Sequence, residues 1–178
     1  YKEGDVFDNG PNMYPGIANL CLRVHLKEIQ EQADLLGAIQ NPKVLQIHDR
    51  EWRFRTDPKD AGVSSRWFAS SLNDEGWAKI DADRCWQEQG YGDYHGVAWY
   101  RKRFDTPSRE GKQRVILYFG AVDGDAAVYV NGKLVGEHNL TPPDYAGWDT
   151  PFHFDITDAL LPDDGENLMA VRVKKELY

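Results

Sequence analysis

A series of short apolar runs, separated by turn signals, dominates the chain after Asn41-Pro42. No amphipathic helical pattern lies between these runs, which favours an antiparallel β-sandwich or barrel over a parallel sheet with crossover helices. The predicted strands are 44–48, 51–56, 97–104, 114–120, 126–131, 133–137, 152–156 and 167–174.

Two of these strands have informative local patterns. In 114–120, apolar residues occupy both alternating sets of positions, which predicts a central strand that is covered on both faces. Asn131-Gly132 lies between two apolar runs, and both residues tolerate positive φ. This dipeptide therefore predicts a two-residue β-hairpin turn.

The first part of the chain has a different pattern. Residues 1–16 are rich in turn-forming types, and apolar residues then recur at helical spacing, which predicts one amphipathic helix over 17–37. The apolar face contains Leu22, Leu26, Ile29, Ala33 and Leu36. We therefore divide the chain into a lead-in with a helix, 1–43, and a β-sandwich, 44–178. The helix is either the tail of a preceding domain or packs on the sandwich.

Charge and hydropathy exclude several classes of partner. The net charge of −8 argues against nucleic acids and anionic membranes, and no apolar run is long enough to span a bilayer. The given sequence opens without a signal-peptide pattern and without Met, so we expect an excised or processed piece. Cys21 and Cys85 are expected to be two buried thiols, with a disulfide as the alternative.

The sequence has no recognisable catalytic signature. It lacks a nucleophile elbow, a Walker loop, a zinc-protease motif and a dinucleotide-binding glycine motif, and its histidines lack metal-ligand spacing. Glycoside hydrolysis needs two facing carboxylates, and acidic residues do cluster in 74–75, 81–83 and 163–166. We interpret these clusters as solvated loop charge, and loop carboxylates acting in a small hydrolase are the alternative.

Two glycine- or proline-containing loops carry the candidate binding residues. Aromatic rings beside polar groups suit sugars, which present apolar C–H faces and polar rims. The predicted sugar-binding residues are Trp86, Tyr91, Tyr94, His95, Tyr145 and Trp148. The alternative is that these rings only cap the end of the sandwich. Contact with a sugar or with a neighbouring domain predicts that the rings are exposed.

No cofactor is expected, with the exception of a structural calcium ion. Calcium prefers several oxygen ligands, and the candidate ligands are Asp57 with Asp60, or Asp123 with Asp125. Neither pair matches a complete calcium-loop pattern.

Five strings in register resemble a known family. They are WRFRTDPKDAG with RWF and DEGWAKI over 52–80, GVAWYRKRFDTP at 96–107, RVILYFGAVDGDAAVYVNGKLVGEH at 114–138, PFHFDITDAL at 151–160 and GENLMAVRV at 165–173. In this order they resemble the N-terminal sugar-binding domain of glycoside hydrolase family two, the β-galactosidase and β-glucuronidase group.

The resemblance implies an all-β fold, an antiparallel jelly-roll sandwich of the galactose-binding-like type. It also implies a non-catalytic role, because the family's catalytic glutamates lie in a separate barrel domain; no catalytic residue is transferred to this chain. The expected partners are an oligosaccharide and the catalytic domain of the same parent protein, which would be secreted or periplasmic. The resemblance also implies that a loop of this domain can reach the rim of the active site, and we match the loop 86–95, which precedes GVAWYRK, to that position. A module that only braces a catalytic domain is the alternative within the same fold.

Two features depart from the family pattern. The chain stops at Tyr178, before a further strand that the family usually has, and the predicted helix is foreign to the pattern. The sandwich is therefore placed either N-terminally or C-terminally in its parent.

Overall fold

The computed structural model describes residues 47, 50–84, 86–92, 94–107, 114–140, 149–162 and 165–175. This part of the chain is all-β, apart from two short 3₁₀ turns at Gln87–Gln89 and Thr157–Ala159. The strands are β1 (Trp52–Thr56), β2 (Ala78–Ile80), β3 (Gly96–Asp105), β4 (Ile116–Phe119), β5 (Asp125–Val130), β6 (Lys133–His138), β7 (Phe152–Asp155) and β8 (Glu166–Lys175).

The strands form two antiparallel sheets that pack as a sandwich. The larger sheet has the order β2-β1-β3-β8-β5-β6, and the smaller one pairs β4 with β7. The antiparallel sandwich predicted from the sequence is thus confirmed. Asn131 and Gly132 have φ values of 50° and 83° and connect β5 to β6, so the predicted hairpin is also confirmed.

The inner core lies between the two sheets. Strand alternation predicts seven core residues, and all of them are buried. They are Trp99, Leu117, Phe119, Val128, Val130, Val171 and Val173. Six of them face the inner core, and Trp99 lies instead on the opposite, outer face of the larger sheet. That outer face therefore has a cover of its own.

The prediction that 114–120 forms a central strand is wrong for the described residues. There β4 pairs only with β7, in a two-stranded sheet. Leu117 and Phe119 face the inner core, and Tyr118 is also buried, at 8% exposure. Burial of both faces thus gives the strand its apolar pattern without a central position in a large sheet.

The outer cover is the segment 57–77, which connects β1 to β2. Its Trp67, Phe68 and Trp77 pack on Trp99 and Tyr129 of the sheet. Trp67 contacts Trp77 and Trp99 edge-on, and Phe68 stacks on Tyr129 at 4.7 Å between ring centroids. The larger sheet is therefore covered on both faces, by the smaller sheet and by this outer cover.

One end of the sandwich, which we call the loop end, brings together the start of β3, the start of β5 and the end of β6. Gly96 at the start of β3 pairs with Lys175, and Asp125 at the start of β5 pairs with Lys174. His138 at the end of β6 pairs with Ala126 of β5. The loop before β3 and the chain leaving β6 thus meet at the same end.

Several predictions fall on residues outside the described part. They are the helix 17–37, the cysteines at 21 and 85, and Tyr145 and Trp148. Of the predicted strand 44–48 only Ile47 is described, and it is buried. The division at residue 43 stays a prediction.

Candidate functional site

Trp86 lies in the inner core, not on the surface. Its side chain is fully buried, and its ring contacts Phe54 and Tyr94 at 5.9 Å between centroids in each case. The segment after β2 runs over the inner face of β1, so a large ring at position 86 fills space beside Phe54. The expectation that Trp86 presents an exposed ring is therefore corrected.

Tyr91 and Tyr94 are half-buried at the loop end. Tyr91 packs edge-on against Phe54 at 4.6 Å, and the Tyr94 hydroxyl donates a hydrogen bond to the Val97 carbonyl at 2.6 Å. Burial raises the pKa of Tyr91 and of Tyr94, because a phenolate would lose solvation there. Both hydroxyls therefore remain protonated at neutral pH, and part of each ring is accessible.

His95 is also half-buried and directly precedes β3. Its Nδ1 and the Trp86 Nε1 are buried and have no hydrogen-bond partner among the described residues. Asp83 and Gln87 each have one such oxygen in the same stretch. Buried polar atoms without a partner are uncommon in folded proteins, so their concentration in 83–95 sets this segment apart.

A buried arginine holds the outer cover in place. Arg101 of β3 is 1% exposed, and its Nε donates to the Asp74 carboxylate at 2.6 Å. Its remaining donors reach the carbonyls of Trp67, Ala69 and Leu72. A buried charge is tolerated only when it is paired and hydrogen-bonded, and Arg101 meets this condition entirely through the cover.

Asp57 anchors the start of the same cover. Its carboxylate accepts hydrogen bonds from the backbone N–H groups of Ala61 and Gly62 and from the Trp99 Nε1. The ideal Cβ of an alanine at position 62 would lie 2.3 Å from that Nε1, so the cover approaches Trp99 as closely as only glycine permits. The cover is thus bound at both ends by buried polar contacts.

The outer face also contains a groove of about 560 Å³, which we call the outer groove. It lies between residues 70–75 of the cover, the start of β1 and residues 101–103 of β3. Its lining comprises Glu51, Arg53, Ser70, Ser71, Leu72, Asn73, Asp74, Glu75, Arg101, Lys102, Arg103 and Leu168. Sequence reasoning missed this site, because its residues come from four separate segments and include no aromatic ring.

The four candidate calcium ligands are all engaged by protein groups. Beyond the contacts of Asp57, Asp60 forms a bidentate pair with Arg172, and Asp123 pairs with Lys175 at 2.6 Å. Asp125 accepts a hydrogen bond from the Leu140 N–H. In the described part of the chain no three acidic, histidine or cysteine side chains come together, and the calcium site stays a prediction.

The described residues contain no helix that is long and apolar enough to cross a membrane.

Comparison with known proteins identifies the family. The family model for the β-galactosidase second all-β domain matches residues 64–176. A β-galactosidase of Thermoanaerobacter pseudethanolicus is 44% identical over 81 residues, which are 46% of this chain and 10% of that protein. A β-glucuronidase of Paenibacillus borealis is 30% identical over 113 residues, 62% of this chain and 18% of that protein.

A solved structure shows the same fold. The β-glucuronidase of Ruminococcus gnavus superimposes with a TM-score of 0.64 at 24% identity, over 79% of this chain and 23% of that one. The chain thus spans less than a quarter of the length of these relatives. Because the family model covers well over half of the chain, the chain belongs to glycoside hydrolase family two, as an all-β domain of the β-galactosidase and β-glucuronidase type.

Proposed function

We propose that this chain is a non-catalytic accessory domain of a larger glycoside hydrolase-like protein that breaks down polysaccharide, and that it contacts carbohydrate itself. The family match carries this proposal. The relatives named β-galactosidase and β-glucuronidase share only 10% and 18% of their length with this chain. Most of each glycosidase thus has no counterpart in the matched region.

The described carboxylates support a non-catalytic role, because three of those in the acidic clusters serve structural contacts. Asp74 neutralises Arg101, Asp81 pairs with Arg50 at 2.8 Å, and Glu166 pairs with Arg103 at 3.2 Å. These engagements disfavour a small hydrolase that uses loop carboxylates.

Two carboxyl groups with lowered pKa values also support a non-catalytic role. The hydrogen bond and charge of Lys79 lower the pKa of Glu51. Partial burial opposes ionisation of Asp155, but hydrogen bonds from Thr157 and the charge of Arg114 outweigh it and lower that pKa too. A general acid of a glycosidase needs a raised pKa instead.

For carbohydrate contact we propose the loop end, with Tyr91, Tyr94 and His95. Their partly accessible rings offer C–H stacking surface beside polar groups, which is the chemistry that sugars require. Tyr145 and Trp148 belong to the same proposal, since the chain enters their segment from Leu140 at this end. Affinity should be weak, roughly micromolar to millimolar, because an open site makes few contacts.

A bracing module is the second candidate, favoured by two contacts. Trp86 is committed to the core, and the Tyr94 hydroxyl is committed to Val97. Both contacts reduce the number of groups that remain free for a sugar. In this role the loop end would pack against the catalytic domain of the parent protein.

A binding titration separates the two candidates. The chain is titrated with galactosides, glucuronides and plant-wall oligosaccharides while NMR shifts and Trp fluorescence are followed. We expect shifts at Tyr91 and His95, and weaker binding by His95→Ala but not by His153→Ala, a matched change at a half-buried histidine of β7. If no sugar causes shifts at tens of millimolar, the bracing role replaces direct recognition.

Catalysis is tested on the same preparation with chromogenic aryl glycosides. We expect no turnover. Robust turnover that a single Asp or Glu substitution abolishes would overturn the non-catalytic assignment.

A further inference from the structure

The outer groove contains a cluster of arginines that the pairing of β1 with β3 brings together. Arg53 of β1 is the direct cross-strand partner of Arg101, and Arg103 follows two residues later on the same face of β3. Cross-strand partners and residues i and i+2 are near neighbours on one face of a sheet. Three guanidinium groups therefore originate from adjacent positions on the outer face.

These arginines differ in how well their charges are compensated. Arg101 pairs with Asp74 and donates hydrogen bonds to three carbonyls of the cover. Arg53 is half-buried, yet its only hydrogen bonds within the described part are long ones, 3.4 Å to the Glu75 carbonyl and 3.5 Å to the Trp77 carbonyl. It forms no ion pair with any described carboxylate. Arg53 is therefore a half-buried guanidinium without an ion-pair partner among the described residues, and its charge acts on Glu51, whose pKa it helps Lys79 to lower.

The remaining lining is suited to hydroxyl groups. Ser70, Ser71 and Asn73 provide neutral donors and acceptors, and Leu72 and Leu168 add a small apolar surface. The volume of about 560 Å³ lies within the usual range of about 300–1,000 Å³ for small-ligand sites. The groove thus offers a cationic anchor, hydrogen-bonding walls and a limited apolar floor.

The charges of the lining restrict the ligand further. Four cations, Arg53, Arg101, Lys102 and Arg103, face three anions, Glu51, Asp74 and Glu75, which leaves a net charge of +1 in a chain of −8. Two partners outside the lining cancel each other, since Lys79 pairs with Glu51 at 2.7 Å and Glu166 pairs with Arg103 at 3.2 Å. A ligand with one carboxylate among hydroxyls matches this pattern, whereas a polyanion would meet the anionic rim.

We propose that the outer groove binds an acidic oligosaccharide, with the carboxylate of one sugar on Arg53 and neighbouring hydroxyls on the Ser70–Asn73 wall. This inference rests on the proposed function only in that the ligand is a carbohydrate. The site is separate from the loop end, because the groove contains the start of β1, whereas the loop end lies at the start of β3. An arginine fork binds a carboxylate with two parallel hydrogen bonds, which gives the site its selectivity.

The test is a calorimetric and NMR titration of the full chain with three probes. They are an aldotetraouronic acid (one glucuronic acid on xylotriose), the neutral xylotetraose, and hexaglutamate. We expect the acidic sugar to bind at least about 10-fold more tightly than the neutral one, since one charge-assisted hydrogen-bond pair is worth that ratio. NMR shifts should map to 51–53 and 70–75, and the preference should decrease in high salt.

Arg53→Gln should abolish the preference for the acidic probe, and Arg53→Lys should retain only part of it, because an ammonium group keeps the charge and loses the fork. Arg114→Gln is the matched control, since Arg114 is exposed and pairs with Asp155 outside the groove. Each variant is checked by circular dichroism for an unchanged fold.

Three results would overturn the groove assignment. They are equal affinity for the acidic and neutral probes, an unchanged preference in Arg53→Gln, or equally tight binding of hexaglutamate, which would assign the groove to an acidic protein segment. If sugar-induced NMR shifts appear only at Tyr91 and His95, the assignment of the groove as a binding site is also overturned, whereas carbohydrate binding by the domain stands.

Discussion

Removal of the carboxylate at position 74 tests how the outer cover is held. Asp74→Ala deletes the one anion among the described residues that pairs with Arg101, whose side chain is completely buried. The carbonyls of the cover would still accept hydrogen bonds from the guanidinium. The variant therefore leaves a hydrogen-bonded but uncompensated charge under the cover.

Breaking a buried ion pair from one side typically costs about 3–5 kcal/mol. The surviving carbonyl contacts and the 11% exposure of the Asp74 side chain place this case at the lower limit, about 3 kcal/mol. In a domain of this size such a loss lowers the melting temperature by roughly 6–12 °C.

Urea and thermal unfolding, followed by circular dichroism, measure this loss. Glu75→Ala is the matched control, because the neighbouring carboxylate is exposed and its removal should change the free energy of unfolding by less than about 0.5 kcal/mol. In the double variant Asp74→Ala/Arg101→Met the cost should be smaller than the sum of the two single costs, because the charges disappear together. A loss below about 1 kcal/mol in Asp74→Ala would refute the buried pair.

Three further substitutions test other parts of the sandwich. Phe119→Ala removes a fully buried ring and should cost about 3–5 kcal/mol in urea unfolding; a cost under about 1 kcal/mol would contradict the assignment of β4 to the core. Gly136→Ala places a Cβ 2.1 Å from the Phe154 ring, so it should destabilise the contact between the two sheets, and a wild-type melting temperature would argue against that contact. The lowered pKa of Asp155 means that its stabilising contribution is present above about pH 4 and is lost as pH falls through the folded-state value, so Asp155→Asn should flatten the acid side of the stability profile. If Asp155→Asn loses stability at acidic pH just as the wild type does, this reasoning is wrong. The difference in the free energy of unfolding should be small, because Arg114 is exposed.

Local sequence patterns determined the β-architecture. Positive φ at Asn131 and Gly132 is a property of those two residues, and strand alternation at Val128, Val130 and Val171 reflects a period that every buried strand must follow. The strands from β3 onward were thus placed within a few residues of their observed bounds. These features depend on neighbours in the chain, so a sequence alone contains them.

Only the tertiary structure decided which residues face solvent and which charges meet. Strand β2 is three residues long, too short to show a period, and it exists through its pairing with β1. In the sequence, a buried tryptophan at position 86 looks the same as an exposed one that could stack on a sugar. The path of its segment over Phe54 buries the ring. The outer groove joins residues 51 and 53 at the start of β1 and residues 101–103 of β3 with loop positions 70–75, and the burial of Arg101 depends on carbonyls about thirty residues away. Such contacts arise from chain folding over long sequence separations, and no local pattern encodes them.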